Sequence, residues 1–157
     1  MTTFGKILMV VLALGVVFLV FFLLPNKTEV VINPTETEDT ETYPKEELLG
    51  KKADLVSFSI LPNSKIHDIV NYEGSVKGGY FFEANILINI LDKDQNVLRQ
   101  SNAISTTEWM TAEPVSFAGS LDLTGLPLGL AYIEIHNNNA SGLPENDKSI
   151  LIPIVIE

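Results

Sequence analysis

The chain has 157 residues, no cysteine, and 20 acidic against 10 basic side chains, so its formal charge is −10 beside a mean hydropathy of +0.24. Without cysteine there are no disulfides, thiolate metal sites, cysteine nucleophile or thioether-linked lipid. The acidic balance excludes the basic face that a nucleic-acid binder needs to neutralise phosphates.

Splitting the charge by segment shows the organisation. Residues 1–27 carry Lys6 and Lys27 and no acid, residues 28–52 carry seven acids and three lysines, and residues 53–157 carry thirteen acids and five bases. Ile7 to Leu24 is an uncharged run of 18 residues, fifteen of them Leu, Ile, Val or Phe. As a helix it is about 27 Å long, close to a hydrocarbon core of about 30 Å. Those fifteen side chains favour insertion by roughly 5–9 kcal/mol. The run is long for a cleaved secretory signal, and no small-x-small pair follows it. No polar face appears around it either, as a buried core helix of a soluble domain would show. Residues 1–24 therefore read as an N-terminal membrane anchor. Lys6 before the run and the acids after Lys27 place the N-terminus in the cytoplasm and the rest outside.

Residues 25–52 read as an acidic flexible linker. Asn33-Pro34-Thr35-Glu36-Thr37-Glu38-Asp39-Thr40-Glu41 has too little apolar area to offset its ordering entropy, and like charges extend it. It acts as a stalk.

Residues 53–157 show a period of two. Val56, Phe58 and Ile60 alternate with serines. Val70, Tyr72, Gly74 and Val76 alternate with polar residues. Tyr80–Leu91 sets Phe82, Ala84, Ile86, Ile88 and Ile90 on one side. Asn96–Ile104 is polar, in the manner of an edge. Val115, Phe117, Gly119, Leu121 and Leu123 share a face, as do Ala131, Ile133 and Ile135. Ser149–Ile156 is almost wholly apolar but contains Pro153, which places that strand at an edge or a bulge. Turn-forming clusters such as Lys77-Gly78-Gly79 and Ser141-Gly142-Leu143-Pro144 separate the runs. About seven short strands over this length predict an all-β, immunoglobulin-like two-sheet sandwich.

Gly78-Gly79-Tyr80-Phe81-Phe82-Glu83-Ala84, Leu91-Asp92, Trp109-Met110-Thr111, Val115-Ser116-Phe117 and Asn139-Ala140-Ser141-Gly142-Leu143-Pro144-Glu145 follow one another across the domain. Together they resemble the immunoglobulin-like domain of bacterial spore-germination-associated proteins, over about Leu55 to Ile156. The resemblance implies a bacterial, extracytoplasmic module, often membrane-tethered, with no catalytic residues to carry over.

No catalytic or ligand-binding pattern stands out among the residues. Asp92-Lys93-Asp94-Gln95-Asn96 opens like a calcium loop, but Val97 stands where glycine is needed and Ala103 where the last acid is needed. It reads as a polar turn. Ser141–Asp147 reads as a solvated loop. His67 and His136 have no partner at a zinc spacing, and Ser141-Gly142 lacks the nucleophile elbow. No enzyme, metal or cofactor is expected. Trp109-Met110 is the candidate partner contact, against the plainer reading that Trp109 caps the core.

The expected function is a membrane-anchored binding or structural module that contacts a protein or cell-envelope polymer through the displayed domain. The alternatives are a small accessory subunit of a membrane complex acting through its helix, or an undetected hydrolase.

Overall fold

Period-two and continuous β-branched runs set nine strands in the computed structural model, which describes Tyr43 and residues 45–157. They are β1 (Leu49–Gly50), β2 (Leu55–Phe58), β3 (Ser64–Ile66), β4 (Ile69–Val76), β5 (Asn85–Asp92), β6 (Val97–Ser105), β7 (Val115–Asp122), β8 (Gly129–His136) and β9 (Ser149–Ile156). The helical residues among those described are two short 3-10 turns, Lys52–Asp54 and Pro144–Asn146, and no described helix is long and apolar enough to cross a membrane. The membrane helix expected over Ile7–Leu24 and the linker as far as Thr42 lie outside the described residues. All seven expected runs hold a strand, and β1 and β3 are additions.

The strands follow one hydrogen-bonded path, β1-β9-β8-β5-β6-β7-β4-β2, with β3 also on β9. Every pairing is antiparallel except the parallel β3–β9 pair. β5–β6 and β4–β7 pair along their lengths, whereas β6 and β7 share only Ile104↔Ala118 and Ser105↔Phe117. The sheet turns its corner at this short joint, and the rest of that side of β6 keeps the edge character expected from its polar sequence. Arg99 spans the opening. Its guanidinium donates to the Asp122 carbonyl and, at 3.2 Å, to the Thr124 carbonyl.

The result is a curled antiparallel sheet whose halves close on one core. Ile86, Ile88 and Ile90 of β5, Ile133 and Ile135 of β8, and Ile150, Ile152 and Ile154 of β9 meet Tyr72 and Val76 of β4 and Val115, Phe117 and Leu121 of β7. Each fully buried aliphatic side chain contributes about 1.5–3 kcal/mol. On the outer face Leu91, Tyr132 and Leu151 form a second, smaller cluster. Burial on both faces is why β9 is apolar throughout.

Two expectations about strand faces need correction. Val56 does not point inward: it is 55% exposed. The β2–β4 register shifts between Leu55 and Ser57, and this bulge turns Leu55 towards the core in place of Val56, while Phe58 and Ile60 pack there as the alternation predicts. Pro153, expected at an edge or bulge, lies on a strand that β8 covers on one side and β1 and β3 on the other. It sits in the gap between those two short strands, where its carbonyl accepts the Asn63 N–H at 2.7 Å. No N–H is required at that position, so the proline costs no ladder bond.

A strap over residues 45–50, a stretch assigned to the linker from composition, lies along the same edge. Glu46 and Asn63 exchange two hydrogen bonds of 2.9 Å. The Tyr132 hydroxyl donates to the Glu46 carboxylate, and Leu49 pairs with Leu151. Burial, with the Glu46 hydrogen bond and charge, pushes the Tyr132 phenol up to about 12. Further back, the Tyr43 ring lies against Gly129. The chain thus comes into the domain beside the first residue of β8, and an eight-residue strand places His136 about 25 Å away.

The core contains one polar misfit. The Tyr72 hydroxyl is buried with no hydrogen-bond partner among the described residues, and burial pushes its phenol up to about 12. A Cβ on Gly119 would come within 2.4 Å of that oxygen, so glycine there makes room for it. Tyr72→Phe is expected to raise the unfolding free energy by about 1 kcal/mol, because an unsatisfied buried hydroxyl costs about 1–3 kcal/mol. Gly119→Ala should be better tolerated in that background than alone. Urea unfolding followed by Trp109 fluorescence measures both, and a loss of stability in Tyr72→Phe would mean that the hydroxyl has a partner.

Candidate binding surface at the loop end

Strand ends decide where the chain's distinctive residues meet. Val76 pairs with Val115, Asn85 with Ile104, Leu87 with His136, and His136 with Ser149. The loops 77–84, 106–114 and 137–148 therefore emerge together at one end of the curled sheet. Gly78–Ala84, Trp109–Thr111 and Asn139–Glu145, far apart in sequence, lie in these three loops.

Specific contacts bind them. The Asn138 N–H donates to the Tyr80 carbonyl at 2.9 Å, and the Asn138 side-chain amide reaches the Phe82 carbonyl at 3.4 Å. Lys148 Nζ lies 5.6 Å from the centre of the Tyr80 ring. The Tyr80 hydroxyl donates to Asp54 Oδ2 and Lys77 Nζ donates to Asp54 Oδ1, both at 3.2 Å. Burial pushes the Asp54 carboxyl up, but the hydrogen bonds from Lys77 and Tyr80 and the charges of Lys77 and Lys148 outweigh it and hold it below the usual carboxylate range. Burial, reinforced by Asp54, pushes the Tyr80 phenol above its ordinary value. Gly78 packs against the Thr111–Ala112 backbone, with no space for a Cβ.

The run Tyr80–Leu91 is not one strand. Phe82 and Asn85 exchange backbone hydrogen bonds of 3.0 and 2.9 Å around Glu83 and Ala84, whose φ angles are 48° and 62°. This is a two-residue hairpin of the type that asparagine and glycine favour. It turns Phe82 outward, to 42% exposure, instead of into the core. Each left-handed L-residue costs about 1–2 kcal/mol. Replacing the pair by Glu83→Asn and Ala84→Gly should therefore stabilise the domain by about 1–2 kcal/mol. A higher urea midpoint with an unchanged slope would show it, and an unchanged midpoint would mean that the turn is unstrained.

The loop 137–148 braces itself. Asn137 donates to the Asn146 carbonyl at 3.0 Å and accepts from the Lys148 N–H at 2.7 Å. Asn139 donates to the Leu143 carbonyl at 2.8 Å and to Asp147 Oδ1 at 2.7 Å, and its own oxygen accepts from Ser141 N and Oγ. Carbonyl and carboxylate oxygens here face N–H and O–H donors, the wrong complement for a cation. Among the described residues no three His, Asp or Glu side chains gather at a metal-ligand spacing. At the far end the Asp92 carboxylate accepts from the Asp94 and Asn96 backbone N–H groups at 2.8 Å, which makes Asp92–Asn96 a polar turn joining β5 to β6.

Trp109 and Met110 part company. Trp109 is half-buried and packs on the core cluster, capping this end. Met110 is 74% exposed. Phe82, Asn138 and Lys148, which line a recess of about 350 Å³ at this end, were not distinguished in the sequence. Alternation in Tyr80–Leu91 predicts an inward Phe82, and the run Asn137-Asn138-Asn139 is the sequence signal that points to the recess. A broader groove of about 790 Å³ beside the strap is lined by Lys45, Leu48, Lys52, Leu61 and Pro62 among others. Comparison with family models, characterised proteins and solved structures finds no match for this chain.

Proposed function

We propose that the chain is a membrane-anchored, extracytoplasmic binding or structural module of a bacterial envelope. In this reading its C-terminal domain is an immunoglobulin-like sandwich, of the kind associated with spore-germination proteins, and it does no catalysis. The loop end contacts a protein or cell-envelope polymer.

One observation carries the reading. Three of the segments that bear the family resemblance, Gly78–Ala84, Trp109–Thr111 and Asn139–Glu145, converge on one end of the domain, while the chain comes in beside Gly129 at the other. A tether attached at Tyr43 leaves the loop end facing away from its attachment, as display of a binding surface requires. The braced Asn137–Lys148 loop and the packed Gly78–Thr111 contact hold that surface in one shape, which lowers the ordering cost of binding.

The test uses the full chain in intact cells, with a photo-crosslinking side chain at the exposed Ala140 or, as a control at the far end, at the exposed Val97. The expected result is a discrete crosslinked envelope species from position 140 and none from position 97, with the domain open to protease added outside. Equal crosslinking from both positions would overturn the loop-end assignment. With the crosslinking side chain moved into Ile7–Leu24, crosslinks formed there and from neither domain position would favour the accessory-subunit role. A domain reached by protease only after lysis would end the proposal altogether.

A further inference from the structure

The recess at the loop end has a definite chemical character. It lies between the Phe82 hairpin and the 137–148 loop, and its residues include Phe82, Asn138, Asn139, Ser141, Asn146 and Lys148. None of its lining residues is acidic, and Lys148 is the only charged one, on a chain whose net charge is −10. At about 350 Å³ it is at the small end of ligand sites, sized for one ring of a polymer and not for a protein's apolar anchor cluster.

Its groups divide into supports and free contacts. Asn137, Asn139 and Asn146 are committed to the loop itself. Asn138 is half-buried, and its oxygen makes no hydrogen bond among the described residues, while its amide donates weakly across to the hairpin at 3.4 Å. Phe82 offers a ring that is 42% exposed and held by a two-residue turn. Lys148 is half-buried, and its ammonium lies over the Tyr80 ring with no ion pair within 4 Å among the described residues, the Asp54 carboxylate feeling its charge from farther off.

We propose that this recess binds one residue of an acidic saccharide. The C–H face of the sugar stacks on Phe82, its hydroxyls donate to the free Asn138 oxygen, and its carboxylate meets Lys148. The chemistry favours this over a peptide. An apolar peptide anchor would need a deeper hydrophobic pocket, and an acidic peptide would leave the Phe82 ring without a flat partner. The inference rests on the loop end being the contact surface and names the ligand class for it.

The test titrates the full chain in detergent micelles with tetragalacturonate, with neutral maltotetraose and with an acidic tetrapeptide, following backbone and Asn side-chain amide shifts. The expected result is weak saturable binding of tetragalacturonate, with shifts centred on Phe82, Asn138 and Lys148. It should bind about fivefold more tightly than maltotetraose, the range of a part-exposed charge pair. Phe82→Ala should weaken binding about tenfold and Phe82→Tyr should restore it. Lys148→Met should remove the preference for the acidic sugar while leaving the neutral one unchanged. Thermal unfolding of each variant separates lost binding from lost fold. Tighter binding of the tetrapeptide, shifts elsewhere on the domain, or a tetragalacturonate affinity indifferent to Phe82 in a folded variant would overturn the assignment. A protein crosslinked at position 140 together with no saccharide binding would sink this inference alone and leave the display role standing.

Discussion

Phe117→Ala is expected to cost about 3–5 kcal/mol, the range for emptying a buried aromatic site. Phe117 is 1% exposed and central to the core. Its ring lies 6.2 Å from Phe58, 6.3 Å from Tyr72 and 6.3 Å from Phe81, so β2, β4, β7 and the loop before β5 all pack through it. Such pairs add about 0.5–1.5 kcal/mol each beyond the area they bury. Nor can the hole close easily. Gly74 already stands so near that a Cβ there would fall 2.6 Å from Phe117 Cζ, and the surrounding backbone is held in the β4–β7 ladder. Domains of this size are stable by only about 5–15 kcal/mol, so the variant should lose a large part of that. Urea unfolding read from Trp109, the one tryptophan in the chain, measures it. Val97→Ala, at a half-exposed position, serves as control and should stay within about 0.5 kcal/mol. A Phe117→Ala loss below about 1.5 kcal/mol would mean that the two halves of the sheet do not share this core.

The sheet was legible because period two is a local property. Val115–Leu123 and Ala131–His136 each declare a buried face within a few residues, and the structure buries Val115, Phe117, Leu121, Ile133 and Ile135. What escaped depends on partners remote in sequence. β1 and β3 are two and three residues long, too short to show any period, and exist because β9 offers an edge on either side of Pro153. The bulge at Val56 moves a face by one residue, which no alternation count can detect. Glu83-Ala84 has none of the composition of its turn. Its left-handed backbone is imposed by the Phe82–Asn85 pairing and the Asn85 side chain, which donates to the Glu83 carbonyl at 2.7 Å, so a strand pattern ran straight through it.

The candidate surface was legible only in pieces. Trp109 and Met110 stood out by composition, yet one caps the core and the other projects from it. Their difference comes from where the 106–114 loop is fastened. Glu108 accepts from the Met110 N–H at 3.0 Å, Thr111 from the Glu113 N–H at 3.1 Å, and Thr107 from the Ser116 N–H at 3.0 Å. Phe82, Asn138 and Lys148 become neighbours only through the pairing of β5 with β8 and β8 with β9. Residue type alone could not mark them, because Phe in an alternating run and Asn in a loop are what an ordinary core and an ordinary turn contain.

Gly78→Ala is expected to cost about 2–3 kcal/mol or more, and to act on the loop end in particular. A Cβ there would fall 1.9 Å from the Thr111 carbonyl oxygen, 2.8 Å from its carbon and 2.9 Å from Ala112 Cα. All three are backbone atoms, so no side chain can swing aside, and overpacking of this kind costs about 1–3 kcal/mol before the fold rearranges. The easiest relief is for the 106–114 loop to lift away from the 77–84 loop, which would carry Trp109 off the core end. The variant should therefore show a red-shifted Trp109 fluorescence and faster amide exchange in residues 106–114, with β8 and β9 still protected. Gly125→Ala provides the contrast: its φ is +75°, but a Cβ would meet nothing within 4 Å. That variant should lose only the left-handed penalty of about 1–2 kcal/mol, with Trp109 unmoved. Loss of crosslinking from position 140 in Gly78→Ala but not in Gly125→Ala would tie the proposed contact to the packing between the two loops. Equal effects in both would reduce Gly78 to a stability residue and leave the surface without its scaffold.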